Sequence, residues 1–241
     1  MGKLTKNLFQ PWLDVMMGAA ERPVFRRVDK STQFELAYNP NTEDRDYIDQ
    51  KSSSTELTGY QLELPQEIVL DNTNPMYAFL DRLFESMPVG SDCVVPFLLV
   101  KPDLSTGRPT RGLFWPRAEV HPDTLNTPDG LLSFNIELNG DFQVGTVEIE
   151  GGELSFSATA AATGVKVPPE DVAVQQGASA PSGCAPDGGD GYMLFSSSDP
   201  KTATVDADGT VHGVKAGAAK VDAVCITPSG RYTARFGVTV S

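Results

Sequence analysis

The chain has 241 residues, 40% of them apolar and 21% charged, and its 32 acidic against 19 basic side chains give a net charge of −13. This is long enough for one large or two ordinary domains with real cores. No apolar run approaches the roughly 20 residues a membrane-spanning helix needs, and the acidity excludes a surface that wraps nucleic acid through its phosphates. Three cysteines (Cys93, Cys184, Cys225), none in a Cys-x-x-Cys spacing, exclude a zinc ribbon or a dense disulfide framework.

In chain order, the N-terminus carries two lysines but no uninterrupted apolar core behind them, so no secretory signal is legible. Leu8–Ala20 has apolar residues enough for a helix, but Pro11 and Gly18 weaken it, and residues 1–25 read as an ordered arm. Thr32–Tyr38 and Thr55–Leu64 read as strands. Between them, residues 39–54 form a polar, acidic segment with no apolar period, longer than ordinary connections, and read as either a functional arm or a mobile segment.

A helix is expected over 75–87. Asn74 suits its N-cap and Pro75 its first position, while Met76, Phe79, Leu80, Leu83, Phe84 and Met87 recur on one face. Pro88 ends it, and buried-looking strands follow at Cys93–Val100 and Leu113–Val120. Over 131–149 two alternating runs, Leu132/Phe134/Ile136/Leu138 and Phe142/Val144/Val147/Ile149, flank Asn139-Gly140-Asp141, the signature of a hairpin. The texture changes at Glu150-Gly151-Gly152, so 1–150 reads as one domain, 151–163 as a linker and 164–241 as a second domain. In that second domain Asp206-Ala-Asp-Gly209 reads as a turn between short strands, and Tyr232/Ala234/Phe236/Val238/Val240 as a closing strand. The fold class is mainly β: an N-terminal two-sheet sandwich with one α-helix on its flank, then a smaller β-sandwich.

Motifs that carry chemistry are scarce. His212 reads as a surface residue, and His121 as a loop residue before Pro122 with no cysteine or second histidine at a ligand spacing. Asp206-Ala-Asp-Gly209 and Asp187-Gly-Gly-Asp190-Gly191 lack the distal glutamate of a calcium loop and read as turns. The carboxylates at 43–49 have no apolar surroundings to raise a pKa and read as a solvated acidic face. No catalytic, cofactor or metal residues are assigned, and an enzyme is not expected.

Phe195-Ser-Ser-Ser-Asp-Pro-Lys-Thr-Ala-Thr-Val-Asp-Ala-Asp-Gly-Thr-Val-His-Gly-Val-Lys-Ala-Gly-Ala-Ala-Lys-Val221 resembles the group 2 bacterial immunoglobulin-like domains. Those are non-catalytic adhesive or spacing modules of surface-exposed and assembled proteins. Upstream, an ordered series resembles the major tail tube proteins of long-tailed, siphovirus-type bacteriophages. It comprises Tyr38-Asn-Pro-Asn-Thr-Glu43, Tyr47-Ile48-Asp49, Thr55-Glu-Leu-Thr-Gly-Tyr60, the helix start Asp71–Tyr77, Val89-Gly-Ser-Asp92, and Leu131–Ile149 with Asn139-Gly-Asp141 and Gly145-Thr-Val147.

This second resemblance implies a structural virion protein, assembled in the host bacterial cytoplasm and residing in the tail. Its hexameric rings would stack into a tube that conducts DNA without specific binding. Implied partners are further copies of the chain, the tape measure protein, and the tail terminator and distal tail proteins, with neither membrane insertion nor cofactors. The inter-ring contact is expected at Asn39, Glu43, Asp44, Arg45, Asp46, Tyr47, Ile48 and Asp49, with residues 1–25 a second candidate. The tube part carries 23 acidic against 13 basic residues over 1–150, which suggests an electronegative lumen along which DNA slides. The immunoglobulin-like module would project outward for weak contact with host-surface glycans. The alternative is a bacterial surface adhesin or cell-wall-binding protein, for which an export signal and tandem modules would be expected.

Overall fold

The computed structural model describes residues 5–46, 54–103 and 106–241. The chain divides into two compact units, Met1–Ala158 and Thr159–Ser241, both built almost wholly of strands. Unit 1 begins with β1 (Gln10–Asp14), β2 (Phe25–Arg27), β3 (Pro40–Arg45), β4 (Ser54–Tyr60), β5 (Leu62–Val69) and α1 (Pro75–Glu85). It continues with β6 (Phe97–Lys101), β7 (Arg111–Trp115), β8 (Glu119–Asn126), β9 (Leu131–Leu138), β10 (Gln143–Glu150) and β11 (Glu153–Ala158).

These strands make a six-stranded sheet, β11-β10-β7-β6-β1-β2, a three-stranded sheet, β5-β9-β8, and a separate hairpin, β3-β4. The main core lies between the two larger sheets and α1. Leu13, Phe97, Leu99 and Trp115 from the first sheet meet Leu64, Ile68, Val120, Phe134 and Ile136 from the second and Met76, Leu80 and Leu83 from the helix. Alternation in β9 decides its orientation: Leu132, Phe134, Ile136 and Leu138 are buried while the residues between them are half-buried. The two-sheet arrangement with a single α-helix is therefore what the periodicities call for.

The six-stranded sheet has a second core on its other face, formed by Trp12, Phe25, Leu98, Val100, Val147 and Leu154 with Phe114 and Phe156 against them. The sheet curls until its outer strands approach one another, and Arg26 Nη1 on β2 donates to Glu153 Oε1 on β11 at 3.0 Å. Phe114 at the centre packs edge-on against Phe25, with ring centroids 5.9 Å apart, and tilted against Phe156, at 5.5 Å. Two glycines admit Phe156. A Cβ on Gly112 would lie 2.9 Å from its ring, and one on Gly145 would lie 2.6 Å from the ring and 2.2 Å from the Ser157 carbonyl oxygen.

Several local expectations are corrected. Residues 10–14 are no arm but β1, hydrogen-bonded between β6 and β2, and buried because apolar residues there face both cores. The buried Asp14 at its end accepts backbone N–H bonds from Met16 (3.1 Å), Gly18 (2.9 Å) and Val24 (2.9 Å). It thereby holds the connection that leads into β2. Residues 32–38 form no regular strand; bridges at Ser31 and Ala37 tie the segment to the β5 edge, and Thr32 Oγ1 donates to Glu67 Oε1 at 2.7 Å. The run 55–64 divides into β4 and β5, and 113–120 into β7 and β8, which belong to different sheets. Pro116 at the latter break has no N–H to continue a ladder.

β9 and β10 do not pair with each other either. β9 joins β5 and β8 while β10 joins β7 and β11, so Asn139-Gly140-Asp141 is a corner between sheets. α1 stops at Glu85, Pro88 having blocked further turns, and Met87 is 82% exposed rather than on the apolar face. The segment 151–163 includes β11, paired with β10 from Gly145↔Ala158 to Glu150↔Glu153. Gly151 and Gly152, at φ 59° and 88°, make the hairpin turn that brings it back.

Unit 2 contains β12 (Gly164–Lys166), β13 (Val172–Val174), β14 (Ser179–Pro181), β15 (Ala185–Asp187), β16 (Tyr192–Ser197), β17 (Ala203–Val205), β18 (Thr210–Gly213), β19 (Gly217–Thr227) and β20 (Gly230–Val240). A four-stranded sheet, β13-β20-β19-β16, and a three-stranded sheet, β14-β18-β17, share a core of Val172, Val174, Val211, Val221, Phe236 and Val238 with smaller neighbours. Asp206–Gly209 turns β17 into β18: the Gly209 N–H donates to the Asp206 carbonyl at 3.0 Å and the Asp206 N–H to that of Thr210 at 2.9 Å. The closing strand β20 buries Phe236, Val238 and Val240.

Candidate assembly interface

The residues of interest are those of the β3-β4 hairpin. Asn39 enters it at φ 37°, a left-handed conformation that asparagine tolerates better than most residues. Its carbonyl accepts the Gln61 N–H at 3.1 Å, closing the base of the hairpin. The ladder then pairs Glu43 with Glu56, Asp44 with Thr55 and Arg45 with Ser54, after a register shift at Asn41/Thr42. Asp46 follows in the exposed chain, whereas Tyr47, Ile48 and Asp49 lie outside the described residues.

Charge sets the local geometry. Two glutamates directly opposite repel each other. Arg45, two residues from Glu43 on the same face, offsets this by placing Nη2 3.4 Å from Glu43 Oε2 and 3.2 Å from Glu56 Oε2. Thr55 Oγ1 donates to Asp44 Oδ1 at 2.7 Å, and Thr58 Oγ1 to the Asn41 carbonyl at 3.0 Å. Exposed pairs of this kind contribute at most about 1 kcal/mol each. Every residue of β3 and all but one of β4 is exposed. Tyr38 and Tyr60 pack edge to face at the base, 6.4 Å between centroids, yet remain 59% and 56% exposed, and Leu57 beside them is 48% exposed. A two-stranded hairpin alone is marginally stable. Among the described residues, almost nothing of its own chain lies beneath this one.

Sequence spacing missed a second cluster. Glu119 and His121 on β8 and Glu137 on β9 offer ligand atoms within 4.8 Å of one another. His121 sits in β8, not in a loop, with Nε2 3.2 Å from Glu119 Oε2. Glu137 pairs with Glu119 across the ladder and with Glu63 on β5, and this register is the signal a linear scan lacks. Three carboxylates in a row on the outer face add to the acidity of unit 1. In unit 2, His212 Nε2 lies 2.8 Å from Asp206 Oδ2 on the surface. The Asp187–Gly191 stretch is held by backbone bonds, Ala162 N–H to the Asp190 carbonyl at 2.9 Å and Asp190 N–H to that of Ala160 at 2.7 Å. Tyr192, Leu194 and Ile226 are exposed neighbours on β16 and β19.

Residues 161–227 match the family described as Bacterial Ig-like domain (group 2), which gives the C-terminal sandwich its class. The chain as a whole matches none of the curated proteins. Among solved structures it is similar to a chain of the anti-feeding prophage (AFP) baseplate, 6-fold symmetrised, at 10% identity and a TM-score of 0.36, over 60% of this chain and 96% of that one. It is also similar to a chain of the AFP tube terminating cap, at 7% identity and a TM-score of 0.38, over 61% and 93% of the two chains.

Proposed function

We propose that the chain is a structural subunit of a bacteriophage tail, of the long-tailed, siphovirus type. In this reading unit 1 forms hexameric rings that stack into the tail tube, and the tube guides DNA into the host. The observation that carries it is the β3-β4 hairpin, an acidic element with all but one residue of its two strands exposed, which coincides with the Tyr38–Glu43 and Thr55–Tyr60 motifs of the tail tube resemblance. An exposed hairpin on a closed sandwich is an element built for a neighbour, and stacked rings supply one. Asn39, Glu43, Asp44, Arg45 and Asp46 are assigned to the ring-to-ring contact, together with Tyr47, Ile48 and Asp49 of the same segment. Tape measure, terminator and distal tail proteins would bind the tube inside and at its ends.

The acidity of unit 1 suits a channel that lets phosphates pass without holding them. The immunoglobulin-like module would be displayed on the virion for weak, repeated contact with host-surface glycans, with avidity supplied by the many copies in a tube. The module match itself favours a second reading, a bacterial surface adhesin or cell-wall-binding protein.

Negative-stain electron microscopy of the purified chain, with its mass from light scattering, separates the two. Rings or tubes of uniform bore are expected. A monomer that binds cell walls and stays monomeric at high concentration would establish the adhesin instead.

A further inference from the structure

We propose that the β3-β4 hairpin of one copy seats in the groove along α1 of a second copy. The inference rests on reading the chain as a self-assembling tube subunit and names the receiving surface that reading leaves open.

The groove holds about 480 Å³ between α1 and the turn that follows β1. Val15, Met17, Phe79 and Leu83 form its apolar floor, with Arg26 and Arg82 on its rim. Arg26 is engaged by Glu153, whereas Arg82 makes no ion pair among the described residues. A second depression of about 640 Å³ shares Met17 and Leu83 as walls and adds Arg117, along with Asp92. Together they form a trough with an apolar base and three guanidinium groups along it. The exposed side chains of Met16, Met87 and Val89 extend the apolar ground nearby.

The hairpin has the opposite character. The sequence from 38 to 60 carries five carboxylates against two basic residues, and its exposed apolar groups among the described residues are Tyr38, Leu57 and Tyr60. Lengths agree as well: a seven-residue strand spans about 20 Å and the 11-residue α1 about 16 Å. Guanidinium–carboxylate bonds are directional and strong among polar contacts, while the tyrosines and Leu57 supply the apolar area that drives association. Hairpin and groove both lie open among the described residues, and their opposite charge fits the hairpin of a second copy to the groove. Because the two surfaces differ, the contact is heterologous and can pass from copy to copy, as a growing stack requires.

Charge reversal tests this. Arg82→Glu and Asp44→Arg, each at a solvent-exposed position, are expected to lower sedimentable assembly about tenfold, and the double variant to recover it. Unchanged thermal melts would confirm that the singles still fold. In parallel, a photo-crosslinker at Leu57 in a mixture of ¹⁴N- and ¹⁵N-labelled chains otherwise native in sequence should give mixed-label links to residues 75–83. Links from Leu57 to other regions, or full assembly by Arg82→Glu, would overturn the groove while leaving the tube reading intact. A wild-type chain that never assembles would overturn both.

Discussion

The tightest constraints in unit 1 fall on single residues at which one atom is too many or one charge too few. Gly145 lies where β10, β11 and the Phe156 ring converge, and a methyl group there would overlap both ring and backbone. Gly145→Ala is expected to destabilise the chain by about 1–3 kcal/mol, the usual cost of overpacking. Gly59→Ala, at a site with nothing within 4 Å of a new Cβ, should be close to neutral, and denaturant unfolding of the two variants makes the comparison. Asp71 is the charge counterpart. Its carboxylate is held well below the usual range, first by the hydrogen bond from Lys30 and then by those from the Thr73 hydroxyl and N–H. A carboxyl more acidic in the folded than in the unfolded chain stabilises the fold above its unfolded pKa of about 3.9 and loses that contribution as pH falls toward the folded value. Asp71→Asn should therefore be less stable than the wild type at pH 7, with the gap closing below about pH 4. A gap independent of pH would show that Asp71 acts by packing alone.

Elements were legible where period and punctuation agreed, and illegible where partners are distant in sequence. α1 shows both. Its N-terminus was written in Asn74-Pro75, and Asn74 Oδ1 does accept the Met76 N–H at 2.9 Å from a buried position. Asn74→Ala should cost about 1 kcal/mol, and circular dichroism melts would register it. The far end was overread by two residues, because Met87 keeps the apolar period after Pro88 has decided the stop. β9 was plain because one face is core and the other is not. β1 was hidden for the opposite reason: a strand buried on both faces shows no alternation, and Pro11 and Gly18 mimic loop punctuation. The β9–β10 corner defeated the turn signal, since Asn-Gly specifies a reversal but not whether the two arms pair. In the hairpin, the polar run 39–46 lacked any period because neither face is buried, so composition marked the segment as unusual without showing it as a strand. The Glu119–His121–Glu137 cluster needed a cross-strand register that no spacing rule contains.

At the scale of the molecule, each of the two compact units has buried clusters of its own. Unit 1 buries its aromatic and aliphatic residues around Phe97, Trp115 and Phe134, and unit 2 has its own smaller centre at Val221, Phe236 and Val238. Phe236→Ala removes most of a buried aromatic side chain, at a cost of about 3–5 kcal/mol. Calorimetry of the wild type is expected to resolve two transitions, because none of the three buried clusters mixes residues of the two units and cooperativity follows shared burial. In Phe236→Ala only one of them should move down. Acid acts on this transition as well: Asp222, held below the usual carboxylate range by the Arg235 hydrogen bond, and Asp199, held there by Thr202 and Lys201, both belong to unit 2, while Asp71 gives unit 1 a dependence of the same sign. Each stabilises above the unfolded carboxylate range and ceases to on protonation, so the transition lowered by Phe236→Ala should also fall as the pH drops from 5 toward 2. If both transitions shifted together in Phe236→Ala, the chain would be one cooperative body. The immunoglobulin-like module would then be part of the stability of unit 1 and not a separable addition to it.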